Sequence, residues 1–245
     1  MTRIPRTVTA LLVAAACSVA NAAVIYQDNF VGSDGSPLNG AAPDVRPGSE
    51  TWSAAANYEA NGDVNSSGNA SAWLPVTIAQ GHVYVLSGTF TTLNTDAGWL
   101  ALSFATSDRP EDTWYQAPDG YGAYLNRGNG DASTYTGLNT TGATAYTGIH
   151  SDGVVTVAIM LDATDADSAN WTIAWSATGN TGSVNQTGTL AADGDYGNIA
   201  HIGFSNSASG DYGTLSSMTF ELVPEPATMG LLAGGALAML KRRGA

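Results

Sequence analysis

Apolar residues recur at every second position of this chain, and this period constrains the fold more than any other feature of the sequence. Four runs show it, each with polar or small residues at the alternate positions. Their apolar members are Leu100, Leu102 and Phe104; Val155, Val157, Ile159 and Leu161; Trp171, Ile173 and Trp175; and Met218, Phe220 and Leu222. Such alternation is typical of β-strands that bury one face. We find no convincing amphipathic helix between residues 24 and 223.

Turn-forming clusters rich in Gly, Asn and Asp separate these runs, for example at residues 95–98, 128–131 and 193–195. About ten to twelve short strands at such spacing predict an all-β fold, a two-sheet antiparallel β-sandwich or jelly roll. The length of 245 residues suits one domain of this class, and a hydrophobic share of 44% is enough for its core. We therefore expect a single domain over residues 24–223.

The charge of the chain is strongly acidic, with 8 Lys and Arg residues against 21 Asp and Glu and a net charge of −13. Five of the basic residues lie near the ends. Residues 24–223 keep Arg46, Arg109 and Arg127 against 20 acidic residues, a formal charge of −17. Nucleic acid is excluded as a partner because its phosphates would be repelled.

The first 23 residues have the three parts of a secretory signal peptide. Arg3 and Arg6 form the positive region, residues 8–16 the apolar stretch, and Ala20-Asn21-Ala22 the cleavage site, which predicts cleavage between Ala22 and Ala23. The apolar stretch is too short to span a bilayer. The Sec translocon and signal peptidase are the partners that this segment predicts.

The one cysteine of the chain, Cys17, lies inside this segment. Acylation of Cys17 is an open alternative, although Ala14-Ala15-Ala16 lacks the leucine usual before a lipoprotein cysteine. Under ordinary cleavage the mature protein has no cysteine, and therefore neither a disulfide nor a thiol nucleophile.

The C-terminal end reads Pro224-Glu225-Pro226, then an apolar run over residues 227–240, then Lys241-Arg242-Arg243. As a helix the run would be about 21 Å long at ~1.5 Å per residue, short of a hydrocarbon core of ~30 Å. A buried core helix is therefore one interpretation. The run is apolar all round, however, and the basic cluster suits a cytoplasmic membrane interface, so we predict a short C-terminal transmembrane helix.

This order of motif, apolar helix and basic cluster resembles the PEP-CTERM sorting signal of Gram-negative exopolysaccharide producers. In the resemblance Pro224, Glu225 and Pro226 carry the motif, while Arg242 and Arg243 carry the terminal cluster. It implies an exosortase-like membrane protease as a partner. It also implies that residues 224–245 are a sorting tail, held transiently in the inner membrane before the protein reaches the cell surface or extracellular matrix.

The start of the body is similar to concanavalin A-like, laminin-G-like jelly rolls. The likeness rests on Asp28-Asn29-Phe30, the segment 35–40 and Trp52, with the late alternating runs as closing strands. It implies two curved antiparallel sheets, adjacent first and last strands, and a concave face that often binds sugar.

No catalytic arrangement is recognisable, so we expect the protein not to be an enzyme. Glycoside hydrolases of this fold place two carboxylates on one strand face, and none of Glu50, Glu59, Glu111 or Glu221 has the required neighbours. The sequence contains no Gly-x-Ser-x-Gly elbow. The three histidines, His82, His150 and His201, are far apart, and alternation predicts that His201 faces solvent. A carbohydrate-active enzyme of unrecognised type stays an alternative.

The densest aromatic stretch suggests a glycan site, because sugar rings stack on aromatic faces and their hydroxyls bond to nearby polar groups. Alternation puts Tyr121 and Tyr124 on opposite faces, and it puts Trp99 on the exposed face of its sheet. Ordinary strand propensity explains the same aromatics equally well. The candidates are Trp99, Trp114, Tyr115, Tyr121, Tyr124 and Arg127.

Three acidic residues in one predicted hairpin loop, Asp162, Asp165 and Asp167, are a weak candidate for a calcium site. The loop lacks the glycine and the ligand order of an EF-hand, and Asp favours turns for local reasons. We expect no cofactor. The sequence as a whole predicts an exported, non-catalytic surface or matrix protein that binds exopolysaccharide, with a purely structural acidic protein as the alternative.

Overall fold

Fifteen strands form in the part of the chain that this computed structural model describes. It describes residues 22–32, 36–56, 58–60, 64–66, 70–92, 99–108, 120–127, 132–135, 144–146, 153–179, 186–190, 196–206 and 213–223. For residues 64–66, 120–127, 132–135, 144–146 and 186–190 it describes the backbone alone. Residues 23–223 form one compact unit.

The strands are more numerous than the ten to twelve predicted, because four of them have two or three residues and are too short to show alternation. In chain order they are β1 Ala23–Asp28, β2 Ser53–Ala54, β3 Tyr58–Ala60, β4 Val64–Ser66, β5 Ala70–Pro75, β6 His82–Thr92, β7 Trp99–Ala105, β8 Gly120–Arg127, β9 Ala132–Tyr135, β10 Thr144–Tyr146, β11 Gly153–Ala163, β12 Thr172–Gly179, β13 Gln186–Leu190, β14 His201–Asn206 and β15 Gly213–Val223. Two 3₁₀ helices, Ser168–Asn170 and Tyr196–Asn198, complete the described elements.

The strands pair into two sheets, and every pairing among them is antiparallel. The eight-stranded sheet has the order β13-β12-β11-β6-β15-β4-β3, with β1 also paired to β15. The seven-stranded sheet has the order β10-β9-β8-β7-β14-β5-β2. The predicted two-sheet antiparallel jelly roll is confirmed, and so is the implied adjacency of the first and last strands.

The core lies between the sheets and contains the apolar members of all four alternating runs. Trp175, Phe104 and Phe220 are among its largest side chains, and Leu222 packs against its margin half-buried. Gly88 of β6 faces across the sandwich, where a Cβ atom would come within 3.2 Å of Leu102 and Leu215. Burial at every second position is therefore what joins the two sheets.

A buried carboxylate fixes the end of β1. The Oδ2 atom of Asp28 accepts a 2.7 Å hydrogen bond from Trp52 Nε1, and its Oδ1 atom accepts one of 2.7 Å from the Phe30 amide. Phe30 has a positive φ of 53°, which turns its ring into the core beside Trp52 and Phe204. The residues that carry the jelly-roll resemblance thus form one hydrogen-bonded unit with the aromatic core.

The predicted helix over residues 227–240 lies outside the described residues, as do the signal segment before Ala22 and the sorting tail. In the described part of the chain, no helix combines the length and the hydrophobicity needed to cross a bilayer.

Replacing Trp52 by Phe tests the buried carboxylate, because Phe keeps the ring but removes the hydrogen-bond donor. We expect Trp52→Phe to lower the free energy of unfolding by about 1–3 kcal/mol at neutral pH, where Asp28 is ionised. Burial raises the pKa of Asp28 above its usual value. Protonation makes the lost bond less costly, so the difference from wild type should shrink as pH falls through that raised pKa.

Urea unfolding at several pH values measures this, with Trp171→Phe as the matched control. Trp171 Nε1 donates to the backbone carbonyl of Asp165 at 3.0 Å, and a carbonyl does not titrate. A Trp52→Phe loss that stays constant across acid pH would contradict the role assigned to Asp28.

Candidate functional site

The predicted glycan-site residues divide between described and undescribed parts of the chain. Trp114 and Tyr115 lie outside the described residues. Tyr121, Tyr124 and Arg127 lie on β8, where the register pairs them with Phe104, Leu102 and Trp99. A register shift between Ser103 and Phe104 puts both tyrosine positions opposite inward-facing residues. The prediction that they occupy opposite faces is therefore wrong, because one irregular pair breaks the alternation.

The prediction that Trp99 lies on an exposed face is also wrong, since Trp99 is 6% exposed. Alternation does place it opposite the inward Leu100 and Leu102. However, every residue of β7 is buried, so both faces of this strand are closed to solvent. Alternation identifies the side of a strand and not whether that side meets water.

A second buried layer therefore covers the outer side of the seven-stranded sheet, and we call it the Trp73 face. Cross-strand register places its residues side by side on β5, β14 and β7. All except Trp73 are small, and none of the side chains is more than 1% exposed. The Trp73 face consists of Ser71, Trp73, Ala101, Ser103, Gly203 and Ser205.

Gly203 leaves the space that the indole of Trp73 occupies. The two residues are cross-strand partners, and a Cβ atom on Gly203 would lie 2.7 Å from the Trp73 ring and 2.0 Å from the Ala72 carbonyl oxygen. No real side chain fits at such distances. The sequence contains this signal as small residues that alternate with large ones, in Ser71-Ala72-Trp73 and in Gly203-Phe204-Ser205. Sequence analysis missed it, because a small residue alone does not identify its partner.

Three polar atoms of the Trp73 face are buried without a hydrogen-bond partner. They are the indole Nε1 of Trp73 and the hydroxyl oxygens of Ser103 and Ser205. A buried donor left unpaired costs about 1–3 kcal/mol, and most such groups in folded proteins have partners. These atoms form a ready set of contacts for any molecule with hydroxyl groups that reaches the face.

His201 lies at one end of β14 and is half-buried, so the expectation that it faces solvent is wrong. Its Nδ1 atom is buried without a hydrogen-bond partner. Burial lowers the pKa of His201, against smaller raising effects from the negative charge of Asp108 and a hydrogen bond to the Thr106 backbone. His82 is exposed at the start of β6, with its ring edge-on to Tyr84, and His150 lies outside the described residues.

The acidic hairpin between β11 and β12 uses its carboxylates locally. Asp162 accepts hydrogen bonds from Thr164, Asp165 from the Asp167 amide and Asn170, and Asp167 from the Ala169 amide. Within the described ranges, no group of three His, Cys, Asp or Glu side chains is placed to hold a metal ion. These bonds are those of Asx turns, which Asp forms without a metal. Calcium at this loop stays an untested prediction.

A separate pocket of about 370 Å³ opens beside β1. Ile25, Pro47, Pro75 and Phe220 are among its apolar lining residues, and Glu50 supplies its carboxylate. At its wall the Tyr26 hydroxyl donates to the Pro75 carbonyl at 2.6 Å. Burial and the nearby charge of Glu50 raise the pKa of Tyr26 to about 12, so this hydroxyl is a permanent donor in neutral water.

Comparison with protein families identifies the end of the chain. Residues 222–243 match the family of the PEP-CTERM protein-sorting motif, which confirms the resemblance seen in the sequence. The motif indicates an exported protein that is processed at its C-terminal end by an exosortase-type partner. No curated protein was found to match the chain in sequence.

Comparison with solved structures supports the fold. A protein of unknown function from Shewanella oneidensis MR-1, SO2946, is 14% identical with a TM-score of 0.50, over 84% of this chain and 88% of that chain. The carbohydrate recognition domain of Emp46p is 14% identical with a TM-score of 0.48, over 69% and 87%. Lectin II from Ulex europaeus is 12% identical with a TM-score of 0.45, over 66% and 87%.

Adding one methyl group at Gly203 tests the close approach on the Trp73 face. We expect Gly203→Ala to lower the free energy of unfolding by about 3 kcal/mol, because the Ala72 backbone cannot move aside without breaking the β5–β14 pairing. Urea unfolding measures this loss.

Gly88→Ala is the control, since its new methyl group meets only the ends of leucine side chains, which can shift. Its loss should be about 1 kcal/mol. Equal losses at the two glycines would contradict the packing described for Trp73.

Proposed function

We propose that this chain is an exported, non-catalytic protein of the cell surface or extracellular matrix, which an exosortase-like protease processes and which binds extracellular polysaccharide. The observation that carries the proposal is the position of the sorting motif. Its match begins at Leu222, inside the last strand, and Pro224 comes directly after that strand ends at Val223. Cleavage in the tail would leave β15 and its pairing intact.

Pairing of β15 on both sides supports this role of the tail. One edge of β15 pairs with β6 over its whole length, and the other pairs with β1 and, at Leu215, with β4. The last strand is therefore held by its neighbours along the sheet and does not depend on the residues after it in the chain. A proline at the next position ends the strand, because proline cannot donate a backbone hydrogen bond.

The Trp73 face is the surface that we assign to the polysaccharide. A sugar ring offers apolar C–H groups that pack on an indole, and its hydroxyls can pair with Trp73 Nε1 and the Ser103 and Ser205 hydroxyls. The unpaired state of these three atoms favours a ligand rich in hydroxyl groups over an apolar one. Since Trp73 is 1% exposed, binding requires this face to open.

A purely structural acidic protein is the second candidate, and the charge of the body favours it. Residues 24–223 have a formal charge of −17, which keeps copies dispersed and retains cations without any specific site. Binding to purified polysaccharide separates the two candidates. Release of new reducing ends over time would instead identify a carbohydrate-active enzyme.

Removal of residues 224–245 tests the role of the tail. We expect the shortened protein to remain folded, with a melting temperature within about 2 °C of the full chain, because β15 keeps all its strand partners. Thermal unfolding followed by circular dichroism measures this. A shortened protein that aggregates or melts much earlier would show that the tail is part of the fold.

Substitution of Trp73 by Phe tests the binding face. We expect Trp73→Phe to weaken depletion of the protein by the producer's own polysaccharide about 5–10-fold, the equivalent of one lost hydrogen bond. Co-sedimentation measures the bound fraction. Trp171→Phe is the matched control, since it also removes an indole donor but lies in the β11–β12 hairpin. A wild-type protein that never co-sediments would favour the structural candidate.

A further inference from the structure

The outer side of the eight-stranded sheet differs from the Trp73 face because it is open to solvent. Burial alternates strictly along β11, where Val155, Val157, Ile159 and Leu161 point inward. Register carries this alternation to the neighbouring strands. We call the outward set on β12, β11, β6 and β15 the hydroxyl face. It consists of Thr172, Ala174, Ser176, Val154, Thr156, Ala158, Met160, Asp162, Val83, Val85, Ser87, Thr89, Thr91, Thr214, Ser217, Thr219, Glu221 and Val223.

The hydroxyl face has almost no charge. Its two charged members, Asp162 and Glu221, both lie near the edge where β11 and β15 end, and it contains no basic residue. Elsewhere the chain is strongly acidic, with a net charge of −13. A neutral surface in so acidic a protein is where two copies can approach with least repulsion.

Exposed apolar side chains are concentrated on the same side of the sheet. Among the described residues the exposed large apolar side chains are Val24, Val31, Val45, Val154 and Met160. Val154 and Met160 belong to the hydroxyl face. Val24 of β1 pairs with Glu221 and so extends the face by one strand. Val154 is 47% exposed and Met160 is 39% exposed.

We infer that two copies of this protein associate through their hydroxyl faces, sheet against sheet. Six strands, from β13 to β1, at ~4.8 Å spacing and about nine residues of ~3.4 Å each span roughly 29 Å by 30 Å. The resulting area of roughly 850 Å² is close to the ~800 Å² that each partner contributes to a stable interface. Threonine, serine, alanine and valine are compact enough for sheets to pack ~10 Å apart.

A second copy fits this face better than a glycan does. None of its outward side chains is aromatic, and sugar rings bind mainly by stacking on aromatic rings. A cationic partner would be drawn to the acidic parts of the protein and away from this neutral surface. A second copy supplies the same methyl and hydroxyl groups, so each apolar side chain meets another one and no charge is buried.

The position of the two acidic residues fixes the orientation of the pair. A two-fold axis parallel to the strands would place the Asp162 end of one copy on the Asp162 end of the other. An axis across the strands places that end over Val154 and Thr91 of the partner and keeps the carboxylates apart. We therefore expect the second arrangement, with Ala158 and Ser87 near the axis, because they occupy the central row of the face.

Sedimentation of the exported protein as the producing cell releases it tests the inference. We expect a monomer–dimer equilibrium that shifts toward dimer at high salt, since salt screens the repulsion between two acidic bodies. Thr156→Glu and Ser87→Glu should each weaken dimerisation by at least about tenfold, because each adds like charges on both sides of the interface. Thr51→Glu is the matched control, in the exposed loop before β2, and should dimerise as wild type does.

Cross-linking reports the orientation directly. The one cysteine of the chain, Cys17, lies in the predicted signal segment, so Ala158→Cys introduces a thiol near the proposed axis and should form a disulfide-linked dimer on mild oxidation. Thr51→Cys should remain uncrosslinked. Thermal unfolding of each variant shows that it is folded.

Three results would overturn the inference. A wild-type protein that sediments as a monomer at every concentration and at both salt levels would exclude the dimer. A dimer unaffected by Thr156→Glu and Ser87→Glu would assign the interface to another surface. A monomer that insoluble polysaccharide depletes, but that Thr156→Glu releases, would make the hydroxyl face a glycan surface.

Discussion

The hydrogen bond between the buried carboxylate of Asp28 and the indole of Trp52 holds together parts of the chain that no strand pairing connects. Asp28 ends β1 in the eight-stranded sheet, whereas Trp52 directly precedes β2 in the seven-stranded sheet. Phe30, turned inward at a positive φ, packs on Trp52 and Phe204. This contact therefore links the two sheets at the end of the sandwich where the chain enters, and it sets how their aromatic residues meet.

The two sheets show why alternation predicted one half of the fold better than the other. The eight-stranded sheet has one face in the core and one in solvent, so the pattern of Val155 to Leu161 translates directly into burial. The seven-stranded sheet is buried on both faces, and there the same pattern misplaced Trp99 and His201. Tyr121 and Tyr124 were misassigned for a different reason, since a single register shift inverts every later position of a strand.

The candidate site was less predictable than the fold because its features depend on contacts between distant strands. Nothing local in the sequence shows that Trp73 lies over Gly203 or that three of its polar neighbours lack partners. The sorting tail is the opposite case. It is recognised by a membrane protease as a linear stretch, so Pro224, Glu225 and Pro226 identify it without any knowledge of the fold. Addresses can be read from sequence, whereas surfaces must be assembled.

Pairing of β1 with β15 joins the two ends of the body, and this has a consequence for export. A chain that crosses the membrane from its N-terminus presents β1 to the periplasm first and β15 last, so the eight-stranded sheet keeps an open edge until the final strand arrives. Such non-local pairing slows folding. The sorting tail succeeds β15 without a spacer, so closure of the sheet and arrival of the tail at the membrane coincide. Anchoring of the tail would then delay release until the strand that completes the sandwich is available.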